Sequence, residues 1–291
     1  MSASSPSVAG ILPGLVTAEI VKLLSRLSAK LGLLASLCVG LALPLFALLL
    51  INSGIQVNGN ESTQYFAVAA NDTVVSALSV RCFPVGIRAF LVILGAQMVA
   101  GEFSAKTLRE DLLRPVPRWS VLAAKFAALM AWNALSLLVT FGGAALIGLL
   151  AFETDGPWLA TLLAYFGAWL CDAGIIAAVF AVGVLTRSTV ATIASLIVFF
   201  VIDKMLGWAM LTASLFAQGI GVSPQIAQLL NQWSALPSAA FGSWAWVLPV
   251  TPNSFAEMIQ PDYVVSSSAA VLIWAAATLF AGLWIHRIDV P

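Results

Sequence analysis

The chain has 291 residues, of which 61% are hydrophobic and only 9% charged, with a mean hydropathy of +1.00. Soluble domains carry roughly 25% charged residues, so a soluble fold is excluded. Thirteen basic and thirteen acidic residues cancel, which removes the basic footprint of a nucleic-acid binder and makes the placement of the charges the informative feature.

The pattern predicts an all-α polytopic membrane protein with six transmembrane helices. Residues 1–13 read as a disordered, Ser-rich start. No short apolar run followed by a small-residue cleavage site appears in the first thirty residues, so the first helix is expected to stay as an anchor. Over 14–30, Leu15, Ile20, Leu23, Leu24, Leu27 and Leu31 recur at helical spacing while Glu19, Lys22, Arg26 and Lys30 take the other face. This is an amphipathic interfacial helix with a basic side turned to the cytoplasm. It leads into a single transmembrane domain over 31–291.

Spans are expected near 31–51, 75–100, 121–152, 159–185, 189–211 and 264–285, each long enough for a hydrocarbon core of about 30 Å. Pro44 kinks the first, and Arg81, Pro84 and Arg88 interrupt the second. Residues 52–72 read as an external loop and Glu153 to Pro157 as an external turn. Only Thr186, Arg187 and Ser188 separate the fourth and fifth spans, which must form an antiparallel hairpin. Residues 212–263 form an external insertion: glycines and prolines punctuate it, Ile226, Leu229, Leu230 and Trp233 keep helical spacing, and Trp233, Trp244 and Trp246 suit a membrane interface. Short external helices before the last span fit this best, with a seventh span as the rival.

Lys22, Arg26, Lys30, Lys106, Arg109, Arg114, Arg118, Lys125, Arg187 and Arg287 all fall on one side under this topology. Basic loops stay inside, so both termini are expected in the cytoplasm and the protein in a bacterial or archaeal inner membrane. Cys38, Cys82 and Cys171 lie in or beside apolar runs without disulfide or zinc spacing, and neither a metal-binding nor a catalytic constellation is present in the sequence.

Charges inside spans are costly and face a protein interior or a water-filled cavity. Counted at 1.5 Å per residue, Arg88, Asp172 and Asp203 each lie about 21 Å from the nearest cytoplasmic boundary. They form an expected intramembrane cluster in which Arg88 pairs with Asp172 or Asp203, with Lys204 near the same layer. Arg81, nearer the outer surface, is expected to snorkel to headgroups. Ala168, Gly174, Ala177, Ala178, Ala181 and Gly183, with Gly142 and Gly143 on the third span, offer small surfaces for helix packing.

The most charged stretch runs from Glu102 to Arg118. Its sequence Gly101-Glu102-Phe103-Ser104-Ala105-Lys106-Thr107-Leu108, then Leu112-Leu113-Arg114-Pro115-Val116-Pro117-Arg118, then Lys125, resembles the first cytoplasmic loop of ABC-2 type transporter permeases. There the pattern is typically G-E-x-x-x-G-T-L, L-L-x-x-P-V-x-R and a lysine opening the third span; Lys106 here replaces a glycine. The resemblance implies the membrane subunit of an ATP-driven exporter, working as a homodimer or heterodimer of permeases in membrane lipid. It further implies an ABC ATPase subunit as partner, which would carry ATP and Mg; no cofactor is expected on this chain. The residues placed by the resemblance at the ATPase-coupling loop are Glu102, Ser104, Lys106, Thr107, Leu108, Arg109, Asp111, Leu112, Arg114 and Arg118. Thr107, Leu108, Asp111 and Leu112 share one face of a short helix that Pro115 ends. No G-x-x-x-x-G-K-[ST] phosphate loop occurs, so energy would come from elsewhere. The alternative is an ion-coupled secondary transporter using Arg88, Asp172, Asp203 and Lys204, although no internal repeat supports it.

Overall fold

The computed structural model describes residues 8–52, 70–81, 87–104, 118–152, 154, 156 and 158–219, and their regular structure is entirely helical. The sixth expected span and all of the external insertion beyond Gly219 lie outside the described residues.

Helix α1 spans Val8–Ser25 and α2 Leu27–Asn52, with a single tight turn at Arg26, whose N–H donates to the Leu23 carbonyl at 3.1 Å. Helix therefore replaces expected disorder over 8–13. Pro13 is accommodated near the start, where its missing N–H removes one backbone bond. The α1 face turned to the protein also differs from expectation. It carries Glu19 and Leu23, with Arg26 in the turn that follows, while Val21 is 64% exposed. The charged side points inward because the bundle supplies its partners, as shown below.

The second expected span is two short helices, α3 (Ala70–Arg81) and α4 (Arg88–Met98), followed by α5 (Ala100–Ser104). At 12 and 11 residues, α3 and α4 each reach less than about 20 Å, short of a bilayer. Residues 82–86, which include Pro84, lie outside the described residues. α3 opens at Ala70, inside the stretch expected to be an external loop; Thr73 Oγ1 donates to the Ala70 carbonyl, and Asn71 Oδ1 accepts from Thr161.

Three long helices follow: α6 (Arg118–Ala151), α7 (Trp158–Thr186) and α8 (Thr189–Gly219), the last running past the expected end at 211. α7 and α8 pack on each other as a hairpin. Leu27–Leu49, Ser120–Ala151 and Thr161–Thr186 are the three helical segments, among the described residues, long and apolar enough to cross a membrane. α6 is the hub, touching α1, α2, α3, α4 and α7.

The α2–α6 contact is built on small residues. Gly32, Ser36 and Gly40, one turn apart, face Trp132, Ser136 and Thr140; a Cβ on Gly40 would lie 2.6 Å from the Thr140 carbonyl oxygen. Gly143 packs on Gly40, whereas a Cβ on Gly142 would meet nothing within 4 Å among the described residues. On α7, Ala168, Ala177 and Ala181 are buried, and a Cβ on Gly183 would lie 3.4 Å from the Val99 side chain.

Of the three apolar clusters among the described residues, two flank the site. One gathers Leu23, Leu91, Leu94, Met98, Leu129, Trp132, Ile176 and Phe180; the other gathers Val74, Leu78, Leu137, Ala144, Tyr165 and Ala168. Meanwhile Leu34, Leu138, Leu163 and Val198 are all more than half exposed. With ionisable residues inside and leucines outside, the distribution is that of a chain solvated by lipid.

Candidate functional site in two buried charge layers

The first layer lies between the two apolar clusters. Along α6, Trp132 belongs to one cluster and Leu137 to the other, with Asn133 and Ser136 between them; along α7, Ala168 and Ile176 flank Asp172 in the same way. Arg81 ends α3 and Arg88 opens α4, so the interruption of the second span delivers two guanidiniums to one depth. Arg88 Nε donates to Asp172 Oδ1 at 2.9 Å and Arg81 Nη1 to Oδ2 at 3.1 Å. Arg81 Nη2 donates to Asn133 Oδ1 at 2.5 Å and approaches Ser136 Oγ at 3.5 Å. Ser136 and Ser36 share a 2.7 Å hydrogen bond, and Thr140 Oγ1 donates to the Ser136 and Ser36 carbonyls.

Arg81 is thus not snorkelling: it is wholly buried. A buried carboxylate at 3.1 Å compensates the desolvation that headgroups were expected to relieve. Arg81 Nε and Asn133 Nδ2 find no acceptor among the described residues, which makes the layer costly unless its pairing is complete. Asp203 and Lys204 lie on α8, but their side chains fall outside what is described.

The second layer joins α1, α5 and α6. Lys125, fully buried, reaches Glu102 Oε2 at 2.7 Å and Glu19 Oε1 at 3.1 Å. Glu102 Oε1 in turn accepts from Lys22 Nζ at 2.7 Å, with Arg26 Nη2 at 3.6 Å. Burial alone would push the Glu102 carboxyl up; the ammonium groups of Lys125 and Lys22 outweigh it and hold the pKa below the usual carboxylate value. This is why the charged side of α1 turns inward.

Of the residues expected at the loop, Glu102 is therefore anchored. Ser104 and Arg118 lie on described helical backbone. Lys106, Thr107, Leu108, Arg109, Asp111, Leu112 and Arg114 lie outside the described residues. The sequence expectations did not include Asn133, Ser136, Ser36 and Thr140, placed Arg81 at the headgroups, and took Glu19, Lys22 and Arg26 as solvated. One signal was present. Lys125, Asn133, Ser136 and Thr140 repeat at helical spacing along an otherwise apolar run, placing all four on one face.

The fold and its two internal charge layers define a multi-pass helical membrane protein. The chain belongs to the ABC-2 family of transporter proteins, whose family model matches residues 15–203, 189 of its 291 residues. It is also 31% identical over 98 residues to the uncharacterized protein YhcI of Bacillus subtilis (strain 168), a match covering 34% of this chain. The chain spans only 28% of that relative's length.

Proposed function

We propose that this chain is the membrane subunit of an ATP-driven exporter, with a separate ABC ATPase docking at the loop that leaves α5 and returns at α6. Family membership supports the class. The observation that carries the coupling role is the Glu102 network: the first residue of the expected loop is held by Lys22 and Arg26 of the α1–α2 segment and by Lys125 of α6. A push on the loop would therefore load the leading helix and the hub helix together, which suits the conversion of ATPase closure into movement of the membrane helices. On this reading the loop and both termini are cytoplasmic, the chain resides in the inner membrane of a bacterium or archaeon, and two permeases, identical or not, assemble for export or a mechanical membrane task. ATP and Mg belong to the partner.

The ion-coupled alternative gains no support from the charge layer, because both oxygens of Asp172 are already taken by guanidiniums. The test is purification of the tagged chain from native membranes followed by assay of MgATP hydrolysis in the eluate. An associated ABC ATPase is expected, and its yield should fall when Thr107, Leu108, Asp111 and Leu112 are replaced together. Absence of any ATPase in the unaltered preparation would sink the reading.

A further inference from the structure

Glu102 ties one side of α5 to α1 and α6; the next residue, Phe103, faces a different element. Arg187, in the turn between α7 and α8, places its guanidinium carbon 5.9 Å from the Phe103 ring centroid. Arg187 also has φ 51°, the one positive φ outside glycine among the described residues. That conformation costs a residue with a Cβ roughly 1–2 kcal/mol and costs glycine almost nothing.

The turn is held by backbone and hydroxyl hydrogen bonds. Arg187 N–H donates to the Gly183 carbonyl at 3.0 Å, Thr186 Oγ1 to the Val182 carbonyl at 2.9 Å, and Thr192 Oγ1 to the Ser188 carbonyl at 2.8 Å. Thr186 and Thr192 hydroxyls meet at 2.8 Å, and Ser188 Oγ accepts from the Ala191 N–H at the start of α8. A backbone-held, left-handed position therefore carries arginine where glycine is the cheaper occupant. The approach to α5 is close elsewhere too: Thr189 Oγ1 lies 3.5 Å from where a Cβ on Gly101 would sit.

We propose that the α7–α8 turn is a second anchor of α5, and that Arg187 is its positioning residue, gripping Phe103 through a cation–π contact. α5 is then pinned from both sides by adjacent residues, Glu102 to α1 and α6 and Phe103 to the α7–α8 hairpin. It behaves as a lever that conveys loop movement to both halves of the bundle. The role as a lever rests on the coupling function proposed above; the anchor does not.

The experiment is hydrogen exchange of the α5 amides in the full chain, in lipid nanodiscs, for Arg187→Gly, Arg187→Lys, Phe103→Leu and the double variant Arg187→Gly with Phe103→Leu. Glycine relieves the backbone and keeps the turn, so folding is not at risk. Exchange in α5 is expected to quicken about two- to fivefold in Arg187→Gly, the range of an exposed cation–π contact. The α7–α8 amides should be unchanged, Arg187→Lys should retain much of the protection, and the double variant should add nothing to the single ones. Unchanged α5 exchange in Arg187→Gly, or fully additive effects, would overturn the anchor. If no ATPase associates with the chain, the coupling reading fails, while this exchange result is read independently of it.

Discussion

Arg81 Nη1 lies 3.1 Å from Asp172 Oδ2, and both side chains are wholly buried although 91 residues separate them in sequence. Arg88 takes the other oxygen, so one carboxylate joins α3, α4 and α7. Removing one partner of a buried pair typically costs 3–5 kcal/mol because the charge left behind is uncompensated. Asp172→Asn should therefore destabilise the chain by about 3–5 kcal/mol, read by thermal unfolding in detergent. Exchanging the charges of Arg88 and Asp172 should fail to restore stability, since a new guanidinium would stand against Arg81. Full recovery in that exchange would show that Arg81 contributes nothing.

Lys125 stands between Glu19 and Glu102 without solvent access. Lys125→Met should lower stability by about 3 kcal/mol. Adding Glu19→Gln should return part of that loss, because it removes a carboxylate the lysine no longer neutralises. If the two changes are additive in a double-mutant cycle, the contact carries no coupling.

The depressed Glu102 pKa makes a pH-dependent contribution. The unfolded carboxyl titrates near 4.5, and the folded one below it. Between those values the unfolded chain binds more protons, so the contribution is full above about pH 4.5 and is lost as pH falls through the folded value. Thermal unfolding from pH 6 down to pH 3.5 should show this loss, and Glu102→Gln should flatten the corresponding part of the curve.

At the α2–α6 crossing, a Cβ on Gly40 would press on the Thr140 backbone, which cannot rotate away as a side chain could. Gly40→Val should cost about 1–3 kcal/mol, an overpacking penalty, whereas Gly142→Ala, with no neighbour within 4 Å among the described residues, should be neutral. Comparable unfolding temperatures for the two variants would contradict the packing described.

Much of the helical layout is legible from hydropathy alone, because long apolar runs such as Leu159 to Leu185 have no other stable form in lipid. The depth match of Arg88 and Asp172 also follows from residue counting. What counting misses is rotation. Arg81 and Arg88 are seven residues apart and read as different depths only if the helix between them is continuous; with α3 ending at one and α4 starting at the other, both reach Asp172. The inward turn of α1 is likewise hidden, since Glu19 and Arg26 look solvated until Lys125 and Glu102 are placed beside them. Periodicity gives each face, but partners on other helices decide which face turns inward.

The shared carboxylate also sets a schedule for biosynthesis. Arg81 and Arg88 emerge from the ribosome well before Asp172, and at about 5–20 residues per second the 91-residue gap lasts roughly 5–18 s. An unpaired arginine at mid-membrane costs about 2.5–3.5 kcal/mol on the insertion scale. The nascent α3 and α4 therefore gain a reason to stay beside the insertion machinery, in a water-accessible place, until α7 arrives. The order in which the helices are made thus governs when the first of them can settle in lipid.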